Sequence, residues 1–283
     1  MVSVAITTTA RNFDVSFVDW CAYHLKVVDR IFLWLDDPDE SCSCLIPFDD
    51  RIQIEIGSQC NRGSVQGNLL FRQNDNTYRA INLCNKQGID WLIHIDTDEL
   101  FYPPNRQTLD GNLAEPNGHV TMVNHEVCPQ WHADNPFRQC NYFKLSGGKL
   151  PFNFYGNGKS AVRCRPGVFS WGAHDFYGPV GRRVISPDMV ILHYACASYD
   201  GWFAKYAHLG DFPDCWYDDP QVPITLPFHL KSRDIYKQCL IEGNFQSAVD
   251  FWMEQVLSPS ELNQLLLDGE VGWYAPISEA GSE

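Results

Sequence analysis

Four short apolar runs restrict what this chain can fold into. "VSVAITTT" (2–9), "RIFLWL" (30–35), "RIQIEIG" (51–57) and "WLIHI" (91–95) are rich in aliphatic, mostly β-branched side chains. The first suits a buried parallel strand, and the third alternates as a strand does. Helical patterns separate them. "SFVDWCAYHLKVV" (16–28) sets Phe17, Trp20, Cys21, His24, Leu25 and Val28 on one face. "LLFRQNDNTYRAINLCNKQG" (69–88) reads as a helix ended by Gly88. Strand, helix, strand, strand, helix, strand implies an α/β fold with a Rossmann-like, doubly wound, mostly parallel sheet.

In open parallel sheets, ligands bind beyond the carboxyl ends of the strands. Three of these ends are polar: Thr7 to Arg11 after the first, Asp36 and Asp37 after the second, and Asp96, Asp98 and Glu99 after the fourth. They converge on one edge of the sheet. In extended chain, residues i and i+2 point to the same side, so Asp96 and Asp98 can face one cation. Hard carboxylate oxygens suit Mg²⁺ or Mn²⁺. Such an ion would neutralise a diphosphate, which a chain of net charge −14 would otherwise repel. The competing reading is that these acids only cap a strand and solvate a turn.

That charge is a poor match for nucleic acid, which needs clustered Lys and Arg. The 11 cysteines include no CxxC pair and a single CxC, Cys42 and Cys44, which argues for thiols in a reducing compartment over structural zinc. No stretch reaches the ~18 apolar residues of a membrane span, and the N-terminus lacks the basic start of a signal peptide. The expectation is a soluble, cytoplasmic protein. After residue 104 the texture changes. Strands are predicted at 119–127 and 189–195 and a helix at 199–210. A Gly-, Pro- and aromatic-rich stretch fills 128–180, and a Pro-rich loop fills 211–229. Two helical patterns follow in 231–267, then a disordered tail "SEAGSE". The division expected is one main domain over 1–230, with halves 1–104 and 105–230, and a helical C-terminal annex with its tail over 231–283.

"WLIHIDTDELF" resembles the D-x-D segment of glycosyltransferases with the GT-A fold, particularly families 2 and 92. "FVDWCAYHLKVVDRIFLWLDD" is similar to the first helix and second strand of that fold. "KSAVRCRPGVFSWGAHDFYG" (159–178) and "ILHYACASYDGWFAKY" (191–206) resemble its acceptor-side and C-terminal His segments. The resemblance covers about residues 2 to 210.

It implies a role for each matching residue. Asp98 would bind the divalent ion, Mn²⁺ or Mg²⁺. Asp96 would contact donor sugar, ribose or ion, and His193 would complete the metal shell. The loop "TTTARN", through Thr8, Ala10 and Arg11, would cradle the nucleotide. Asp36, before Pro38, would read the uracil or ribose edge. Arg72 would reach the base or diphosphate, and Lys159, in the glycine loop "GNGKS", would meet the diphosphate. Asp175 in "WGAHDF" would be the general base. His174 is the alternative base, or holds Asp175, or simply bonds a backbone carbonyl. Trp171 is singled out, from an aromatic-rich stretch between 131 and 217, as an acceptor platform. The implied activity is metal-dependent, inverting transfer of a sugar from a nucleotide-sugar, a UDP-sugar first and a GDP-sugar next, to a hydroxyl of a glycan or glycoconjugate. A nucleotidyltransferase would want a Gly-rich basic loop where "TTTARN" stands. A non-catalytic carbohydrate-binding protein would explain the aromatics but not the acidic strand ends. A phosphohydrolase would want several His beside the acids, and only His94 is near in sequence.

Overall fold

The computed structural model describes residues 1–11, 13–37, 46–61 and 63–277. The Pro38 turn, the Cys42/Cys44 pair and the tail from 278 lie outside the described residues. The chain forms two compact units that alternate along the sequence. The first comprises Met1–Cys60, Leu70–Asn124 and Asn157–Leu192; the second comprises Asn61–Leu69, His125–Gly156 and His193–Glu283. Of the C-terminal annex expected over 231–283, the second takes in the described residues 231–277, together with segments from the middle of the chain.

The elements in order are β1 (Val4–Ala10), α1 (Val15–Val27), β2 (Arg30–Leu35), β3 (Ile52–Ile56), α2 (Val65–Gln87), β4 (Trp91–His94), β5 (Glu99–Tyr102), α3 (Arg106–Asn112) and β6 (Asn117–Val127). Then come α4 (Pro136–Gln139), β7 (Tyr142–Lys144), β8 (Lys159–Arg163), β9 (Phe169–Trp171), β10 (Asp175–Tyr177) and β11 (Arg182–His193). The chain closes with α5 (Tyr199–Leu209), α6 (Pro227–Glu242), α7 (Gln246–Met253), α8 (Pro259–Leu267) and β12 (Val271–Trp273).

In the first unit, β1 pairs in parallel with β2 on one side and β4 on the other, and β3 pairs in parallel with β2. This is the wound α/β sheet that the alternating runs predict. β8 then adds antiparallel to β4, and β6 antiparallel to β8. β1 is buried along its whole length, which is why its sequence is apolar or Thr throughout. One sheet face is closed by Ala80, Ile81 and Cys84 of α2, which pack with Ala5, Phe32, Trp34, Leu92 and Val162. Val168, Phe176 and Val180, on the segment that carries β9 and β10, join the same cluster.

Helix α1 fixes the start of β5. Asp14 caps it through Ser16 N–H and Phe17 N–H. The Trp20 indole N–H donates to the Glu99 carbonyl at 2.7 Å. His24 gives its Nδ1 proton to the Trp20 carbonyl at 2.9 Å and accepts from Phe101 N–H at 3.1 Å. Both ring nitrogens are thus committed in a neutral ring, and burial lowers its pKa to about 3.

The second unit has its own core of Trp202, Tyr206, Cys239, Phe251 and Trp252 from α5, α6 and α7. Three helices, α6 to α8, occupy 227–267 where the sequence suggests two, because Gly243 in the left-handed region ends α6 and Ser258 starts α8 with a capping box. β12 pairs with β7, and β7 with the end of β6. Buried Glu126 there bonds Lys144 at 3.1 Å and accepts from Asn153 and Phe154 N–H. None of the nine described cysteines forms a disulfide.

Candidate functional site

In the order β3-β2-β1-β4, the chain winds one way from β1 to β3 and then crosses to the other side of β1 for β4. The crevice at the carboxyl ends of β1 and β4 is the topological switch point of a wound sheet, where ligands bind. The "DTDE" segment stands there. It is a closed turn: Glu99 N–H donates to the Asp96 carbonyl at 3.2 Å, and Asp96 N–H to the Glu99 carboxylate at 2.7 Å.

Two partners engage the Asp96 carboxylate. The Gln73 amide donates to Oδ1 at 2.6 Å, and Lys159 Nζ to Oδ2 at 2.7 Å. Lys159 also stands 3.3 Å from Glu99 Oε2, and its side chain and that of Glu99 are fully buried. Lys159 is not on a flexible loop; it opens β8, opposite Met122 of β6. Burial pushes the Lys159 pKa down, but Asp96 and Glu99 outweigh it and hold the ammonium charged. Burial pushes Asp96 up, but Lys159 and the neighbouring imidazoles hold it well below the usual carboxylate range.

Two histidines border this ion pair. His94 ends β4, and its Nδ1 lies 2.9 Å from the Ala173 carbonyl. A carbonyl accepts, so Nδ1 carries the proton and the buried Nε2 presents a lone pair that no hydrogen bond occupies. Burial and Lys159 lower its pKa to about 4. The Nδ1 of His174 lies 2.8 Å from the Gly158 carbonyl in the same way, and burial and Lys159 lower its pKa to about 3. Asp98 is half-buried, and its charge adds to the field that keeps Lys159 protonated.

At the ends of β1 and β2 a second cluster forms. Arg72 grips Asp36 through two bonds, Nε to Oδ1 at 2.5 Å and Nη2 to Oδ2 at 3.0 Å, and reaches the Cys60 carbonyl at 3.2 Å. Arg11 lies 3.8 Å from Asp36 and 3.1 Å from Asp37, with its side chain 38% exposed. Arg11, Asp36 and Arg72, chosen separately from the sequence, are therefore one constellation. Thr8 and Ala10 are placed differently from the expected loop. β1 runs on to Ala10, both residues are buried, and the Ala10 carbonyl takes Asp36 N–H at 2.9 Å.

Asp175 and His174 part company. Asp175 accepts from Phe176 N–H at 2.7 Å, His119 Nε2 at 2.5 Å and Arg183 Nη1 at 3.0 Å. Burial raises its pKa, but these three donors outweigh it and lower it. His119 faces Val162 in the β6–β8 ladder, while Lys159 faces Met122. Three residues of strand, roughly 10 Å, separate those levels. His174, by contrast, meets the residue next to Lys159. Trp171 pairs with Asp175 across the β9–β10 hairpin, is 64% exposed, and packs its ring edge-on to Tyr177 at 5.4 Å. His193, at the end of β11, belongs to the second unit, where its ring lies against Tyr155 and Phe154.

Helix α2 supplies residues that sequence reading passed over. Gln73 holds Asp96, Asn74 takes Gly172 N–H at 3.0 Å, and Asn76 donates to Thr9 Oγ1 at 3.0 Å. The signal was present as "RQNDN", a polar run on a helix next to a buried sheet, of which Gln73 and Asn76 are buried. Buried amides must find partners, and here the partners are strand ends.

A divalent ion needs oxygen ligands at about 2.0–2.6 Å. The Asp96 oxygens already accept from an amide and an ammonium, and Glu99 accepts from that ammonium and a backbone N–H. Among the described residues, no group of three or more His, Cys, Asp or Glu side chains is arranged to hold a metal ion. The residues around Asp96 therefore do not fit a resident divalent ion. Among the described residues, no helix is long and apolar enough to cross a membrane.

No protein-family model matches the chain. It is similar to two glycosyltransferase-like proteins of Arabidopsis thaliana. One is 32% identical over 108 residues, 36% of this chain and 24% of that protein. The other is 28% identical over 152 residues, 44% of this chain and 30% of that protein. The matched segments thus span less than a third of either relative. Solved structures with a similar layout include a 4-diphosphocytidyl-2C-methyl-D-erythritol synthase from Anaerococcus prevotii, at TM-score 0.33 and 14% identity over 57% of this chain and 71% of that one. Another is a mannose-1-phosphate geranyltransferase from Thermus thermophilus, at TM-score 0.29 and 11% identity over 88% of this chain and 67% of that one. The likeness is thus to glycosyltransferase-like proteins in general and does not single out families 2 or 92.

Proposed function

We propose that this chain is a glycosyltransferase that uses a nucleotide-sugar donor at the carboxyl ends of β1, β2 and β4. The observation that carries the reading is the closed Asp96–Glu99 turn at the sheet's switch point, beside the Asp36–Arg72–Arg11 constellation. The sequence similarity to glycosyltransferase-like proteins supports it.

Arg11, the more exposed of the two guanidiniums, is the group suited to a diphosphate, while Arg72 and Asp36 brace it and the nucleoside. Ionised Asp96 accepts hydrogen bonds from donor hydroxyls. Mn²⁺ or Mg²⁺ arriving on the diphosphate would supply charge neutralisation to the leaving group, with Asp98 as its protein ligand. Inverting transfer needs a base for the acceptor hydroxyl. His174 suits it better than Asp175. Its ring is anchored through Nδ1 on the Gly158 carbonyl beside Lys159, and a bound diphosphate would raise its pKa from about 3 toward the working range. Asp175 is turned to Arg183 and His119. Trp171 offers an open ring face to an acceptor sugar.

The test is to offer UDP- and GDP-sugars with mixed glycan acceptors and to follow nucleoside diphosphate release. Release that Asp98→Ala and Arg11→Ala both abolish supports the reading. Pyrophosphate released from a nucleoside triphosphate and a sugar phosphate would instead show nucleotidyl transfer. Binding of glycans with no turnover of any donor would indicate a carbohydrate-binding protein.

A further inference from the structure

We propose that Lys159 is a built-in cation, which keeps Asp96 and Glu99 in ion pairing and so takes these two carboxylates out of divalent-metal ligation. The inference rests on the strand-end acids being the donor site. Carboxylates crowded at one strand end repel one another unless a cation stands among them. Here the chain provides one. Lys159 Nζ lies 2.7 Å from Asp96 and 3.3 Å from Glu99, with no exposed side-chain surface.

The position of the ammonium is set by backbone. Lys159 begins β8, which is zipped to β4 and β6. The preceding Gly158 has φ +71°, and a Cβ there would lie 2.0 Å from the Met122 carbonyl, so the chain enters β8 by a path open to glycine alone. A buried ammonium is tolerated only where it is paired, and two carboxylates pair this one. His94 and His174 border the pair and are held through Nδ1 by the Ala173 and Gly158 carbonyls. Asp98 adds a third negative charge nearby.

The consequence is a division of labour within the turn. Asp96 is a fixed hydrogen-bond acceptor for the donor and has no divalent ion of its own. A metal ion, when it comes, comes with the diphosphate and meets the protein at Asp98. The bonds that close the acid turn all come from the protein: Asp96 N–H to Glu99, and Lys159 to both carboxylates.

Mn²⁺ alone, followed by loss of the free-ion electron paramagnetic resonance signal, tests this on the full chain. Because no nucleotide is used, the result is independent of whether the protein transfers sugar. Asp96→Asn is expected to leave Mn²⁺ affinity unchanged. Lys159→Met, which removes the ammonium that occupies both carboxylates, is expected to raise it about tenfold or more, while Lys159→Arg stays at the wild-type value. A fall in Mn²⁺ affinity in Asp96→Asn overturns the proposal, as does a folded Lys159→Met protein that binds Mn²⁺ no better than wild type. Should Lys159→Met fail to fold, Lys159→Gln, which keeps a hydrogen-bond donor without the charge, takes its place with the same two outcomes.

Discussion

Replacing Lys159 by Met leaves two carboxylates without the ammonium that pairs them. The methionine fills much of the space but carries no charge. Asp96 and Glu99 then share a site with no cation, and the Glu99 side chain has no exposure to water. Removing one partner of a buried pair costs about 3–5 kcal/mol, because the charge left behind is unsolvated. For a chain of this size each kcal/mol lowers the melting temperature by roughly 2 °C, so a fall of about 6–10 °C is expected near pH 7.5. The loss should depend on pH. In the wild type, Asp96 titrates below its unfolded value, so its contribution is present above about pH 4 and is lost as pH falls further. In the variant the stranded acids titrate above their unfolded values, so they gain protons on folding as pH falls and the defect shrinks toward pH 5. Thermal unfolding at pH 7.5 and 5.5 measures both features. A fall of under about 2 °C at pH 7.5, or a defect that is constant between the two pH values, would refute the burial argument.

Other outcomes follow from the same geometry. His174→Ala should lower turnover by about 10²–10⁴-fold with donor binding intact, whereas Asp175→Asn should change turnover far less; initial rates beside donor titrations separate the two, and the reverse ranking would return the base to Asp175. His24, His94, His174 and His229 have pKa values lowered to about 3, 4, 3 and 3. The unfolded chain therefore takes up protons below about pH 6.5 that the folded chain refuses, and stability is lost as pH falls, by roughly 1 kcal/mol per histidine at pH 5.5. Urea denaturation at pH 7.5 and 5.5 would show this, and equal midpoints would contradict it. Gly158→Ala should destabilise more than a surface substitution does, since its Cβ meets the Met122 carbonyl at 2.0 Å with φ +71°; a wild-type melting temperature would show that β8 can start by another path.

The parallel part of the sheet was legible because its strands are buried on both faces, so burial is written into every residue of runs such as "VSVAITTT". The acids were legible because an apolar strand ends on them abruptly. The antiparallel additions were harder to see. β8, "KSAVR", starts with a lysine after glycines, a pattern that reads as an exposed turn, and its partner Asp96 is 63 residues away. β9 and β10 are three residues each, too short to show a period. The partners of Asp175, His119 and Arg183, come from β6 and β11 and leave no local mark in the sequence around it. His174 did what one reading allowed, bonding a carbonyl through one nitrogen. The alternation of the two units along the chain rests on contacts distant in sequence, which composition and periodicity do not encode.

The most direct test of the account is calorimetric titration of UDP- and GDP-sugars, with and without Mn²⁺, into wild type, Asp98→Ala and Arg11→Ala. The account predicts that one nucleotide class binds the wild type, that Mn²⁺ strengthens this binding, and that each substitution weakens it. Absence of binding by every donor, or binding that both substitutions leave unchanged, would place the function of this chain away from the ends of β1 and β4.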